Sequence, residues 1–115
     1  MANLKRNMIE LVKEVKEGEI VTEKYLTPVF IPFSVVYEAI DMIAEMESSK
    51  TTERDLLDKM IDFVAARVYN NQFTKDQLID GLHAPEASRT LYEQILFITQ
   101  GAQSDETKKY LTRNG

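Results

Sequence analysis

Two prolines, Pro28 and Pro32, stand four residues apart in the run Leu26-Thr27-Pro28-Val29-Phe30-Ile31-Pro32-Phe33 and divide the chain into two regimes. Neither ring nitrogen can donate to a ladder, so this stretch cannot be a central strand. Each proline also drives the residue before it, Thr27 or Ile31, into extended backbone. Pro32 suits the first turn of a helix, where a missing N–H costs nothing. Strand is therefore expected before the prolines and helix after them. Upstream, Glu19-Ile20-Val21-Thr22-Glu23-Lys24-Tyr25-Leu26 is rich in β-branched and aromatic residues and reads as a strand. Residues 4–15 fit two patterns, since Leu4, Met8, Leu11 and Val15 would also make a helical stripe. Gly18 offers the positive-φ position of a tight turn, which favours a hairpin. Residues 1–31 are thus expected to form a hairpin and extended arm.

Downstream, a helix is expected from about 32 to 47. At 100° per residue, Phe33, Val35, Val36, Ala39, Ile40, Met42, Ile43 and Met46 fill one half of its wheel. Glu38, Asp41 and Glu45 line the other half. Thr52 caps the next helix, with Asp55 at the capping-box position, and that helix should run to about Tyr69. Its expected core positions are Leu56, Leu57, Met60, Ile61, Val64 and Val68, and Asn70-Asn71 stops it. Thr74 and Gln77 form a second capping box, opening a short helix ended by Gly81. Pro85 opens a longer helix ending before Gly101, with Ala87, Leu91, Ile95 and Ile98 as its core stripe. A last short helix is expected to start at Ser104, with residues 113–115 frayed. The fold class is therefore mainly α, a small helical domain of about four to five helices with a short N-terminal β-hairpin. Residues 1–115 form one domain, whose helical body spans 32–112.

Composition limits the chemistry. Hydrophobic residues make up 43% of the 115, enough for one ordinary core and too many for a disordered chain. There is no cysteine, which excludes disulfide scaffolds, thiolate metal sites and thiol catalysis. A single histidine, His83, argues against a histidine-driven enzyme; a loop or cap role suits it better than that of ligand or base. The formal net charge is −5. Residues 38–58 carry that whole excess, with seven acids against two bases. No basic stripe is visible, so nucleic acid is disfavoured as a partner. Residues 74–100 have a helix–turn–helix outline, but the would-be recognition helix opens Pro85-Glu86-Ala87-Ser88 and would meet phosphate repulsion. Nothing approaches the ~20 apolar residues of a membrane span, and no secretory signal is evident, so a cytosolic protein is expected. No phosphate loop, EF-hand pattern or HExxH occurs, so an enzyme is not expected and no metal or cofactor is implied.

Two features stand out as partner-binding candidates. The stripe Glu38, Asp41 and Glu45 is either a solvated helix face, the commoner case, or a docking line for a basic partner. Phe97 falls on the wheel among Glu86, Thr90, Glu93 and Gln94, opposite the core stripe. It is a lone exposed aromatic, a residue packed on the chain's own hairpin or last helix, or an anchor for a protein–protein contact. Arg67 lies at the edge of its helix's apolar arc, where snorkelling is expected.

The run from Glu19 to Phe33, leading into Val36-Tyr37-Glu38-Ala39-Ile40, resembles the tail assembly chaperones of siphophages and prophages of Gram-positive bacteria. So do Gln72-Phe73-Thr74-Lys75-Asp76-Gln77-Leu78-Ile79-Asp80-Gly81-Leu82-His83-Ala84-Pro85 and the ending Gly101-Ala102-Gln103-Ser104-Asp105-Glu106-Thr107-Lys108-Lys109. The resemblance implies a non-enzymatic, mostly helical protein of the infected host's cytoplasm, absent from the mature virion. It implies binding to the long tape measure protein, which is kept soluble while tail tube protein subunits are recruited. A frameshifted longer form of the chain is a further implied partner, and a homo-oligomer is expected because several weak sites along one client gain from multivalency. It carries no catalytic residues across. The alternative from another class is a small acidic regulator or inhibitor that occupies a basic cleft on a host protein.

Overall fold

The structure, a computed structural model, describes residues 4–48, 50–103, 107–109 and 111. Strands β1 (Met8–Lys16) and β2 (Glu19–Leu26) form an antiparallel hairpin. The turn uses Gly18 at φ 71°, a conformation only glycine adopts cheaply. Met8 faces Leu26 and Val15 faces Ile20, with Lys13 left over as a bulge between the paired Val12 and Glu14. Helices α1 (Ser34–Glu47), α2 (Glu53–Asp62), α3 (Lys75–Gly81) and α4 (Ala84–Gln100) follow. The chain is mainly α with a short N-terminal β-hairpin, and the expected order of elements holds. The last helix was expected from Ser104. Residues 107–109 are helical, and its start at Ser104 lies outside the described residues.

Local chemistry sets the helix ends. The Thr52 hydroxyl accepts the Asp55 N–H at 3.1 Å, and Thr74 and Gln77 make both bonds of a capping box at 3.1 and 2.8 Å. Gly101, at φ 69°, closes α4 by donating its N–H to the Phe97 carbonyl.

The helix expected to reach Tyr69 does so, but its last stretch, Phe63–Val68, is a π-helix. The Tyr69 N–H bonds the Val64 carbonyl, five residues back, and Asn70 and Asn71 both turn left-handed at φ 52° and 61°. The wider turn changes which side chains meet the core. Phe63, Ala65 and Tyr69 are buried beside the expected Met60, Val64 and Val68, while Leu56, Leu57 and Ile61 are only half-buried.

The core collects Val35 and Ala39 of α1, the π segment, Phe73, Leu78 of α3, and Leu91 and Ile95 of α4. The root of the hairpin belongs to it too, through Ile9 and Leu11. Gly81 ends α3, as expected, and is also a contact point. A Cβ there would sit 2.9 Å from the Leu11 Cβ and 3.2 Å from the Val12 carbonyl oxygen, so only glycine lets α3 lie this close to β1.

A second, polar centre ties the two ends of the chain together. Gln94, in the outer arc of α4, is buried. Its Oε1 accepts from the Tyr69 hydroxyl and from Asn7 Nδ2, and its Nε2 donates to the Met8 carbonyl. Thr107, near the C-terminus, donates to Asn7 Oδ1 at 2.7 Å and accepts the Met8 N–H at 2.9 Å. Burial drives the Tyr69 hydroxyl well above its ordinary pKa, because the phenolate would have to form away from water.

Candidate partner-binding surface

The acidic stripe is largely neutralised within the chain. Arg67, on the π segment, forks onto Glu38, with Nε at 2.9 and 3.1 Å and a terminal guanidinium nitrogen at 2.7 Å. It does not simply snorkel. Lys59 of α2 holds both oxygens of Glu45 at 2.9 and 3.0 Å. Asp41 lies between them in sequence and stays exposed, with no ion-pair partner among the described residues. Half-exposed pairs of this kind contribute about 1 kcal/mol or less each, so their main effect is orientational. They pin one flank of α1 against α2 and the π segment.

That orientation turns other residues outward. Phe33 is 71% exposed, Tyr37 64% and Ile40 52%, with Val29 at 65% and Phe30 at 66% in the arm just before. Phe33 and Ile40, though in the apolar half of the wheel, thus stay outside the core: α1 fully buries Val35 and Ala39 and packs Met42, Ile43 and Met46 partly against it. Phe33 and Tyr37 pack edge to face on the surface, ring centroids 5.5 Å apart. Phe33, Tyr37, Ile40 and the exposed Ala44 recur at i, i+4, i+7 and i+11, the spacing of a helix seam. With Val29 and Phe30, they leave a run of large apolar side chains uncovered, often a sign of use. A clue was present in the sequence. Eight apolar positions across half a wheel are more than a surface helix needs for one core contact.

Phe97 is not the exposed aromatic that its wheel position suggests. It is 7% exposed, because the outer arc of α4 is covered by the chain's own N-terminal segment and arm. It lines a hollow of about 260 Å³ with Leu4, Val29, Phe30, Val36 and Ile98, alongside the exposed start of α1. Of the four candidates, then, Phe97 lines the hollow beside Val29 and Phe30, Asp41 is exposed on α1, and Glu38 and Glu45 are held by Arg67 and Lys59.

A second cleft, about 360 Å³, lies between β1 and the first half of α4. It is lined by Glu10, His83, Glu86, Arg89 and Glu93 among others. His83 is exposed at the N-cap of α4; its carbonyl accepts the Glu86 N–H, but its ring makes no cap bond that would orient it as a base. No helix of the described residues is long and apolar enough to cross a membrane.

No curated protein and no solved structure matches the chain. A family model does, over residues 3–114, nearly the full length; it describes the phage tail chaperone protein. The covered region takes in the hairpin, the arm, helices α1 to α4 and the apolar face of α1, and on that match the chain belongs to the phage tail chaperone protein family.

Proposed function

We propose that the protein is a non-enzymatic tail assembly chaperone that binds the tape measure protein through the face formed by Val29, Phe30, Phe33, Tyr37 and Ile40. The uncovered apolar surface at these residues is the observation that carries the reading. A tape measure protein is a long helical chain with apolar stripes that aggregate when unshielded. A chaperone of 115 residues with net charge −5 can cover one such stripe and lend the complex its charge. Because a long client offers many such stripes, several copies of the chaperone on one client would gain from multivalency. In this reading the complex forms in the cytoplasm of the infected cell and yields to tail tube protein subunits as they assemble. The chaperone leaves before the virion is complete. A frameshifted longer form would carry the same face.

Inhibition of a basic cleft on a host protein has less support, since bases of the chain itself already occupy Glu38 and Glu45. The test is co-expression with the tape measure protein of the same genome. Transfer of the client from pellet to supernatant, together with co-purification, is the expected outcome. An insoluble, unbound client would overturn the reading.

A further inference from the structure

We infer that the occupant of the α1 face is a single amphipathic helix with two marks: basic residues flanking its apolar stripe at one end, and a bulky apolar anchor at the other. The inference rests on the reading of this face as a client site and adds the chemistry that selects the client.

Three observations point to it. The exposed residues of α1 follow the periodicity of a helix seam over three turns, which matches a second helix lying alongside rather than a strand or a loop. The two ends of the face differ. At its N-terminal end the 260 Å³ hollow floored by Phe97 and Leu4 opens beside Phe30, with room for one large apolar side chain. Toward its C-terminal end the seam passes Asp41 and Glu47, both exposed and neither in an ion pair among the described residues. Lys59 and Arg67 are already committed to Glu45 and Glu38, and Lys50 and Arg54, the bases that follow Glu47 in sequence, form no ion pair with Asp41 or Glu47. Uncompensated acids therefore border the far half of the seam, and lysine or arginine on the visitor complements them. A second copy of the chain fits less well, because it would bring the same acid-bordered face against its like.

The experiment uses the full-length protein and synthetic helical peptides with leucine at i, i+4, i+7 and i+11 and a tryptophan at one end. Lysines flank the stripe at the other end in one peptide, and glutamates replace them in a second. Binding is read by fluorescence anisotropy at low and at physiological salt. The lysine peptide is expected to bind more tightly than the glutamate peptide, with a preference of about tenfold that shrinks as salt rises. The surface variant Asp41→Lys/Glu47→Lys should reverse the preference, and Tyr37→Asp/Ile40→Asp should abolish binding of both peptides, with the circular dichroism spectra unchanged. Equal affinity for the two peptides, or a preference that survives the charge reversal, would overturn the inference. So would a dimer in light scattering that Ile40→Asp dissociates, since a second copy would then be the occupant. If the tape measure protein is solubilised while the peptides fail, the chaperone reading stands and this one falls. If the peptides bind as expected while the tape measure protein stays insoluble, the reverse holds.

Discussion

Tyr69 shows how much one side chain can carry in this fold. It is fully buried, stacks near Phe73 with centroids 5.3 Å apart, and donates to Gln94 in the polar centre that joins both chain ends. Tyr69→Phe should cost about 1 kcal/mol in urea unfolding at pH 7, since Gln94 keeps Asn7 as a donor. The pH dependence is more diagnostic. The folded-state pKa is raised, so the stabilising contribution is complete below the unfolded tyrosine's pKa of ~10 and is lost as pH climbs toward the folded value. Wild type should therefore lose stability above pH ~10 in a way the phenylalanine variant does not, and the gap between them should narrow. A gap independent of pH would contradict the burial argument. Gly81→Ala tests a second contact, because its Cβ would press on Leu11 and the Val12 carbonyl. A loss of about 1–3 kcal/mol is expected, visible as a lower urea midpoint. The cap at Thr52 and the capping box at Thr74 were legible in the sequence because a cap is built from residues three apart, although Asp55 does not return the second bond of a box to Thr52. Gly81 was legible only as a helix end, because what it accommodates is a strand seventy residues away.

Among the elements, α1 departs most from its pattern. Its helical range was readable from periodicity and from Pro32, but its rotation about its own axis was not. Rotation depends on which neighbour each flank meets, and Arg67 and Lys59 reach it from the next helix. The consequence can be checked directly. Ile40→Asp and Tyr37→Asp should each shift stability by less than about 0.5 kcal/mol, as exposed sites do, whereas Ala39→Asp should unfold the protein. Thermal melts by circular dichroism distinguish the three. The hairpin divides in the same way. Ile9 and Leu11 sit in the core, while Val15 is 72% and Ile20 63% exposed at the far end. A two-stranded ribbon without cover is marginal by itself. Amide exchange should be fast from about residue 13 to 22 and slow at Ile9 and Leu11. Uniform protection along both strands would show that the tip is held by contacts absent from this fold.

Across the whole molecule, Gly101, Gln103 and Thr107 close over the segment Lys5–Met8. Thr107 bonds Met8 and Asn7, Gln103 reaches the Arg6 carbonyl, and Lys5 reaches the Gly101 carbonyl. Thr107→Val should cost about 1–3 kcal/mol, because the Met8 N–H and Asn7 Oδ1 would be buried with fewer partners. A negligible change in urea unfolding would show that water replaces the hydroxyl. This closure explains why α4 defied its wheel: Gln94 and Phe97 are outward-facing by periodicity, but Asn7 and Met8 bond Gln94 while Leu4 and the arm lie beside Phe97. No local pattern encodes such cover. On α1 and the arm before it, Val29, Phe30, Phe33, Tyr37 and Ile40 remain uncovered, and in the proposed function this surface shields a tail protein. The most direct test is the soluble fraction of the tape measure protein co-expressed with wild type and with Tyr37→Asp/Ile40→Asp. The account predicts a soluble, co-purifying client with wild type and a pelleted one with the variant, although both chaperones are equally folded. A client kept equally soluble by the variant would contradict it.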